Sequence, residues 1–586
     1  MATPSLRSAR WFTRDDLAGF LHRSTITATG VGRQALDGRP VVGICTAWSD
    51  LVSCNFHLRG VADAVRRGVT RAGGLALEFP TMSLGENLMK PTAMLYRNLV
   101  AMEVEESIRA YPFDAVVLLG GCDKTVPAQL MGAASADVPA IALTGGPANP
   151  AVFRGRELGV GTDLWHYVAE LRAGRMSRDD FAELEAASMP SVGHCPELGT
   201  ASTMAALTEV LGMSLPGSAT VPATDARRYA LGETTGERAV ALARNGPRPS
   251  DVLTREAFDN AITTLMALGG STNAVIHLLA IARRAGVALG LDRFDELSAR
   301  TPVVTNLRPS GEDLFARLDA VGGVPGVLAR LAPLLHLSAT GVTGRPLADL
   351  VHRAGAGSAA ETADETVVAP LERPFAATGG IAVLRGNLAP DGALLKTSAA
   401  DPSLLSHRGP ALVFDDVHEL AHRVDDPDLD VDADTVLVLR GVGPVGGPGM
   451  PEWAQLPVPE KLLRRGVRDI VRISDARMSG TAFGTVALHV APEAAAGGPL
   501  ARLRTGDPVV LDVARRLLAV DIPDREFARR PPALGDTLPA RGYQGLYQRH
   551  VTQADQGCDF DFMALDGAEP AGDSADAIIG GWHGGW

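Results

Sequence analysis

The sequence predicts an α/β protein, with an N-terminal helix-covered domain on a mainly parallel sheet and a C-terminal β-barrel-like domain. Three observations predict it. Apolar β-type runs alternate with helical periodicity over the first ~350 residues. Composition then turns small, polar and acidic across HRAGAGSAAETADETVVAP, residues 352–370, which reads as a linker. Beyond it, strand-like runs separated by turn residues dominate. The domains are therefore placed at 1–370 and 371–566. The tail 567–586, containing DSADAIIGGWHGGW, has little to pack and reads as mobile.

In chain order, RPVVGICTAW, FDAVVLLGG and VPAIALTGGP read as buried strands. Helix-like stretches such as HLRGVADAVRRGVTRAGG and TAMLYRNLVAMEVEESIRA lie between them. REAFDNAITTLMALGGSTNAVIHLLAIARRAG reads as two helices around a Gly-Gly-Ser-Thr-Asn turn. In the second half GGIAVLRGN, GPALVFDD, DTVLVLRGVGP, RDIVRISD and DPVVLDVARRLLAVDI supply strands. No internal repeat stands out.

Hydrophobic residues at 46% and charged residues at 21% of 586 fit a globular enzyme with more than one core. Aromatics at 5% argue against base-stacking platforms, and a net charge of −13 disfavours a polyanion, so no nucleic-acid partner is expected. The N-terminal stretch lacks a signal-peptide core, and no run approaches ~18 apolar residues, so a cytoplasmic location without a membrane partner is expected.

Five cysteines are too few for a disulfide scaffold. Cys45 lies inside an apolar strand and reads as buried; Cys558 has no suggestive setting. Cys54, Cys122 and Cys195 each precede a predicted helix, where the dipole and free N–H groups favour thiolate. Three thiolates from three loops could hold zinc or an iron–sulfur cluster, yet each also reads as a small buried residue at a loop–helix junction. In LLGGCDKTVP, the strand–glycine–helix order invites a phosphate cradle. The stretch lacks G-x-x-x-x-G-K-[ST], however, and Asp123 would repel a phosphate. Asp123 instead offers a hard oxygen beside the soft Cys122 sulfur, as for two different metals. Glu86 and Glu452 occupy glycine-rich loops where a carboxylate can meet a cation, or simply face water.

Seven ordered stretches carry a resemblance: AWSDLVSCNFHLR, LEFPTMSLGENLMKPTAMLYRN, LLGGCDKTVPAQLMGAASADVPAIALTGGP, GHCPELGTASTM, GNLAPDGALLKTSAA, GGPGMPEW and SDARMSGTAFG. Across nearly the whole chain, the sequence resembles the dihydroxy-acid and sugar-acid dehydratases, a family that includes 6-phosphogluconate dehydratase. The resemblance implies a cluster-bearing α/β domain closed by a barrel-like domain. It also implies that Cys54, Cys122 and Cys195 bind an iron–sulfur cluster, 2Fe–2S in preference to 4Fe–4S. Glu86 and Asp123 would then ligate Mg2+, with Glu452 reaching the same site from the second domain. Lys124 would be carbamylated to add an oxygen ligand, and Ser479 would be the catalytic base.

The implied reaction removes water from a 2,3-dihydroxy acid, giving a 2-keto-3-deoxy acid. Its C2 proton is weakly acidic and hydroxide leaves poorly, so two Lewis acids suit the task. PTAMLYRNLVAMEVEE, SGTAFGTVALHVAPEAAAGGPLA and GYQGLYQRHVTQADQGCDFDF resemble the aldonate branch, such as L-arabinonate and D-xylonate dehydratases. A small-molecule sugar acid is the expected partner, in a homodimer or homotetramer. Alternatives are a dihydroxy-acid dehydratase of branched-chain amino-acid synthesis, a specialised dehydratase of secondary metabolism, and a non-catalytic metal-binding relative. Pro196-Glu197-Leu198 departs from the Met-Thr-Met usual after the third cysteine. Cys45 stands where asparagine is usual, and GGPANPAVFRG is also altered.

Overall fold

The run VVGICT forms β1 (Val41–Thr46), all six residues buried, and the rest of the α/β layer is built around it. The structure, a computed structural model, describes residues 6–356, 364–533 and 540–564. The tail expected at 567–586 lies outside the described residues.

From β1 the chain continues through α1 (Leu58–Arg71), β2 (Leu75–Pro80), α2 (Arg97–Ala110), β3 (Ala115–Gly120), α3 (Thr125–Ala136) and β4 (Ala140–Thr144). These four strands form one sheet in the order β2-β1-β3-β4, every pairing parallel. Buried on both faces, β1 and β3 read as continuous apolar runs instead of alternating ones. Downstream come α4 (Val160–Arg172), α5 (Thr200–Val210), α6 (Ala226–Asn245), α7 (Arg255–Leu268) and α8 (Asn273–Arg284). One sheet face, with Val42, Ile44, Val117 and Leu119, packs on α1 and α6 through Val61, Val65 and Val240. The other, with Val41, Val116 and Leu118, packs on α2 and α3 through Val100, Val104 and Leu130.

The strand order fixes where a site can form. From β1 the chain crosses to β2 on one side, and from β3 it crosses to β4 on the other, so a crevice opens at their carboxyl ends. Cys54 lies in the loop after β1 and Cys122 in the loop after β3.

The second half forms a closed eight-stranded barrel. Its strands are β5 (Ala382–Gly386), β6 (Ala389–Leu395), β7 (Ser406–Phe414), β8 (Val436–Leu439), β9 (Arg472–Ser474), β10 (Val486–Ala491), β11 (Pro508–Asp512) and β12 (Leu517–Val520). They close in the order β8-β9-β10-β6-β5-β12-β11-β7. Alternation sorts the side chains. Leu384, Leu395, Val438, Ile473 and Leu518 form a core of their own, while Val383, Leu394, Leu437 and Leu488 join the core shared with the first domain.

Two sequence readings change. The stretch DPVVLDVARRLLAVDI is a hairpin of β11 and β12, turned at Arg516 with φ 56°. The expected linker begins inside a helix, Leu347–Ala356, and Val368 already bridges to Thr305 of the first domain; residues 357–363 lie outside the described residues. After β12 the chain reaches α9 (Gly542–His550) and returns to the first domain. No described helix is long and apolar enough to cross a membrane.

Candidate active site

The three cysteine loops meet at the carboxyl edge of the parallel sheet and are tied together through the backbone. Asn55, fully buried, accepts from the Gly121 N–H at 2.7 Å and donates to Ser83 Oγ at 2.7 Å, linking the loops of Cys54, Cys122 and Glu86. His57 Nε2 donates to Gly145 O at 2.8 Å, at the end of β4. Gly193 N donates to Ser53 O at 3.2 Å, and Pro147 pairs with His194, drawing in the Cys195 loop. Gly121 is required here: a Cβ would lie 2.3 Å from Cys54 O, which is backbone and cannot swing away.

All three cysteines are free thiols. At Cys122 and Cys195 the helix termini do not win the contest over charge. The neighbouring Cys54 sulfur and then burial push the Cys122 thiol well above its usual value, and burial raises Cys195. A bound cation reverses that balance, because a coordinated thiol loses its proton. Cys45 is fully buried, as its strand setting implies, and burial raises its thiol too. Cys558 is also buried, its sulfur 3.8 Å from Met450 Sδ.

Next to Cys122 lies an acidic group drawn from both domains. Ligand oxygens of Glu86, Asp123 and Glu452 all fall within 4.8 Å of one another. Lys124, with no exposed side-chain surface, reaches all three: its Nζ is 3.4 Å from Glu86 Oε2, 3.3 Å from Glu452 Oε1, and bonded to Asp123. Burial and Arg477 work against its charge, yet the three carboxylates outweigh them and hold the amine protonated. Burial likewise opposes the Asp123 charge, but Lys124 and Arg477 prevail and keep it below the ordinary carboxylate range.

Sequence reasoning did not single out Arg477, Asn273 or Thr92. Arg477, fully buried, donates to Glu452 Oε1 at 2.9 Å, to Met450 O at 2.7 Å and to Thr92 Oγ1 at 3.2 Å. Thr92 donates to Glu86 Oε1 at 2.5 Å. Asn273 Nδ2 lies 3.1 Å from both Glu452 Oε1 and Met478 O, joining the acidic group to the Ser479 loop. The signals were present: an arginine in SDARMSG and an asparagine opening the apolar helix α8.

Ser479 is half-buried, its Oγ 2.9 Å from Thr481 Oγ1. Gly480 lets the turn press on the first residue of α5, since a Cβ there would lie 2.6 Å from Thr200 N. The departing residues Pro196, Glu197 and Leu198 are buried beside it: Pro196 O accepts from Phe315 N at 2.7 Å, and Leu198 N donates to Arg308 O at 2.9 Å.

So placed, the residues present soft sulfur donors, a hard oxygen set and a hydroxyl at one domain junction. Comparison with known proteins gives the family. Residues 39–350 match the dihydroxy-acid/6-phosphogluconate dehydratase N-terminal domain, and residues 366–558 match its C-terminal domain. The chain is 49% identical to the L-arabonate dehydratase of Azospirillum brasilense, covering 96% of this chain and 97% of that one. It is 46% identical to the 6-deoxy-6-sulfo-D-gluconate dehydratase of Pseudomonas putida, over 96% and 97%. The dihydroxy-acid dehydratase of Moorella thermoacetica is 38% identical, over 92% and 98%. The chain belongs to the dihydroxy-acid/6-phosphogluconate dehydratase family and, like its named relatives, is a hydro-lyase.

Proposed function

We propose that this enzyme dehydrates an aldonic acid, a 2,3-dihydroxy sugar acid, to its 2-keto-3-deoxy acid, using an iron–sulfur cluster and Mg2+. The observation that carries the reading is the meeting of Glu86, Asp123 and Glu452 from two domains directly beside Cys122. The donor chemistry fits both groups: three carboxylates suit a hard cation, and three free thiols on cross-tied loops suit an iron–sulfur cluster. Cys54, Cys122 and Cys195 would hold a 2Fe–2S cluster; Glu86, Asp123, Glu452 and a carbamylated Lys124 would hold Mg2+. When bound, the two supply Lewis acidity toward the substrate's carboxylate and hydroxyl oxygens.

The chain's own residues do the rest. Ser479 Oγ, deprotonated, takes the C2 proton, and the electron pair of that C–H bond forms the C2–C3 double bond as the C3 hydroxyl leaves, taking the proton back from Ser479 to depart as water. The resulting enol becomes the 2-keto acid by proton return at C3. Thr481, 2.9 Å from Ser479 Oγ, orients that oxygen. Arg477 and Asn273 keep Glu452 in place. Greater identity to the L-arabonate and 6-deoxy-6-sulfo-D-gluconate dehydratases, 49% and 46%, than to the dihydroxy-acid dehydratase, 38%, supports the aldonate choice. A homodimer or homotetramer in the cytoplasm belongs to the same reading.

The test is an anaerobic screen of C4–C6 aldonates and 2,3-dihydroxyisovalerate, detecting 2-keto acid. Turnover of an aldonate is expected; activity on dihydroxyisovalerate alone overturns the substrate choice. Colourless protein lacking iron after reconstitution overturns the cluster. Ser479→Ala is expected to keep its iron and lose at least about a hundredfold in kcat, and near-normal turnover removes the serine from its role.

A further inference from the structure

Helix α4 begins in an unusual way. Its N-cap is Gly159, which has no side chain to satisfy the first N–H groups, and none of its residues is fully buried. Asp163 Oδ2, in the first turn, accepts from Gly159 N at 2.7 Å, but no local side chain satisfies the N–H groups of Gly161 and Thr162. A carboxylate distant in sequence does so. Glu197 Oε1 accepts from Gly161 N at 2.5 Å and from Thr162 N at 3.2 Å. Glu197 itself is fully buried and immobilised, its carbonyl accepting from Ser202 Oγ at 2.7 Å in the first turn of α5. Its second oxygen, Oε2, has no partner.

The start of α4 is also where that helix touches the serine loop. Thr162 Oγ1 donates to Thr481 O at 2.9 Å. Gly161 packs so tightly that a Cβ would lie 2.1 Å from Thr481 Oγ1 and 2.7 Å from Glu197 Oε1. Thr481 Oγ1 in turn is 2.9 Å from Ser479 Oγ. A continuous path thus runs from Glu197 through the first turn of α4 to Thr481 and Ser479.

We propose that Glu197 is a positioning residue for Ser479: it clamps the start of α4 against the Ser479–Thr481 loop and so fixes the direction of the serine oxygen. The proposal rests on the reading of Ser479 as the base. The clamp needs an accepting oxygen, which either a glutamate or a glutamine supplies. It acts on geometry in the reacting complex, so its loss falls on kcat more than on KM.

The experiment uses the iron-loaded full-length enzyme with Glu197→Ala, Glu197→Gln and Thr162→Val. Glu197→Ala is expected to lower kcat by roughly tenfold or more with KM within about twofold and iron content unchanged. Glu197→Gln is expected to restore most of that loss. Hydrogen exchange, read without turnover, should accelerate in Glu197→Ala both at Gly161–Thr162 and across residues 478–482. Thr162→Val, which removes only the hydroxyl contact, should lower kcat several-fold and lose less when Glu197 is already alanine. Should Glu197→Ala fail to fold, Thr162→Val and Glu197→Gln carry the test. The proposal falls if kcat is unchanged in Glu197→Ala, if Glu197→Gln is as impaired as Glu197→Ala, if Thr162→Val behaves as wild type, or if faster exchange stops at α4. Failure of the base reading is distinct, because Ser479→Ala would then retain turnover whatever the exchange data show.

Discussion

Lys124 shows how much one side chain depends on its surroundings. Its buried ammonium balances three carboxylates, the task a divalent cation would otherwise perform, and the proposed carbamate exchanges that charge for an oxygen ligand. Lys396 has the opposite environment. It follows β6 in the motif GNLAPDGALLKTSAA, is 1% exposed, and its Nζ has no hydrogen-bond partner. Burial alone pushes its pKa from 10.5 down to about 7. The folded state therefore binds fewer protons than the unfolded chain between those values. Stability rises with pH across that window, by at most about 1.4 kcal/mol per unit, and this contribution is lost as pH falls through about 7. Lys396→Met, which removes the amine at similar volume, is expected to have a higher Tm than wild type near pH 7. That advantage should shrink steadily toward pH 10 in scanning calorimetry; a pH-independent difference would show that the amine is not titrating in the fold.

At the scale of elements, the site is built by loops whose glycines let backbones approach. Gly121→Ala would force a Cβ to within 2.3 Å of Cys54 O. The expected outcome is a folded protein with normal far-ultraviolet circular dichroism that retains well under half the wild-type iron after reconstitution. Overpacking of this kind costs about 1–3 kcal/mol, less than the stability of a large α/β domain but enough to displace one loop. The strands framing these loops were legible because β1, β3 and β4 are buried on both faces and spell apolar runs. Others were hidden. The strand β6 starts with Ala-Pro-Asp-Gly, and β10 carries His489 at φ 57°. Barrel closure, not local preference, holds these in register. The Arg516 turn was missed for a similar reason: no glycine or asparagine marks it. The cysteines and carboxylates were legible because they sit in short distinctive motifs, Cys122 and Asp123 in the same one, but the convergence of those motifs is a property of strand order.

The two domains must be held together for Glu452 and Ser479 to face Glu86 and Asp123, and the last described segment helps to do so. Arg97 Nη2 donates to Gly557 O and Cys558 O at 2.8 and 2.9 Å, and Asn98 donates to Cys558 O at 2.9 Å. Deeper still, Arg284 of α8 grips Asp559 with contacts of 2.6 and 3.1 Å and meets Glu105 at 3.0 Å. Arg284 and Asp559 both have no exposed side-chain surface. None of this was readable in the sequence, because partners 275 and 460 positions apart leave no periodicity. Removing one member of such a pair leaves a buried charge partly uncompensated, which costs about 3–5 kcal/mol. Asp559→Ala is accordingly expected to lower Tm clearly, whereas an exposed pair such as Arg408–Asp521 contributes about 1 kcal/mol at most. Because α8 also carries Asn273, which holds Glu452, the same variant should require more Mg2+ for half-maximal activity. Thermal unfolding and a Mg2+ titration of Asp559→Ala against Asp521→Ala decide the point. Equal effects would mean that the C-terminal return is decoration on the fold rather than the strap that keeps its two halves in register.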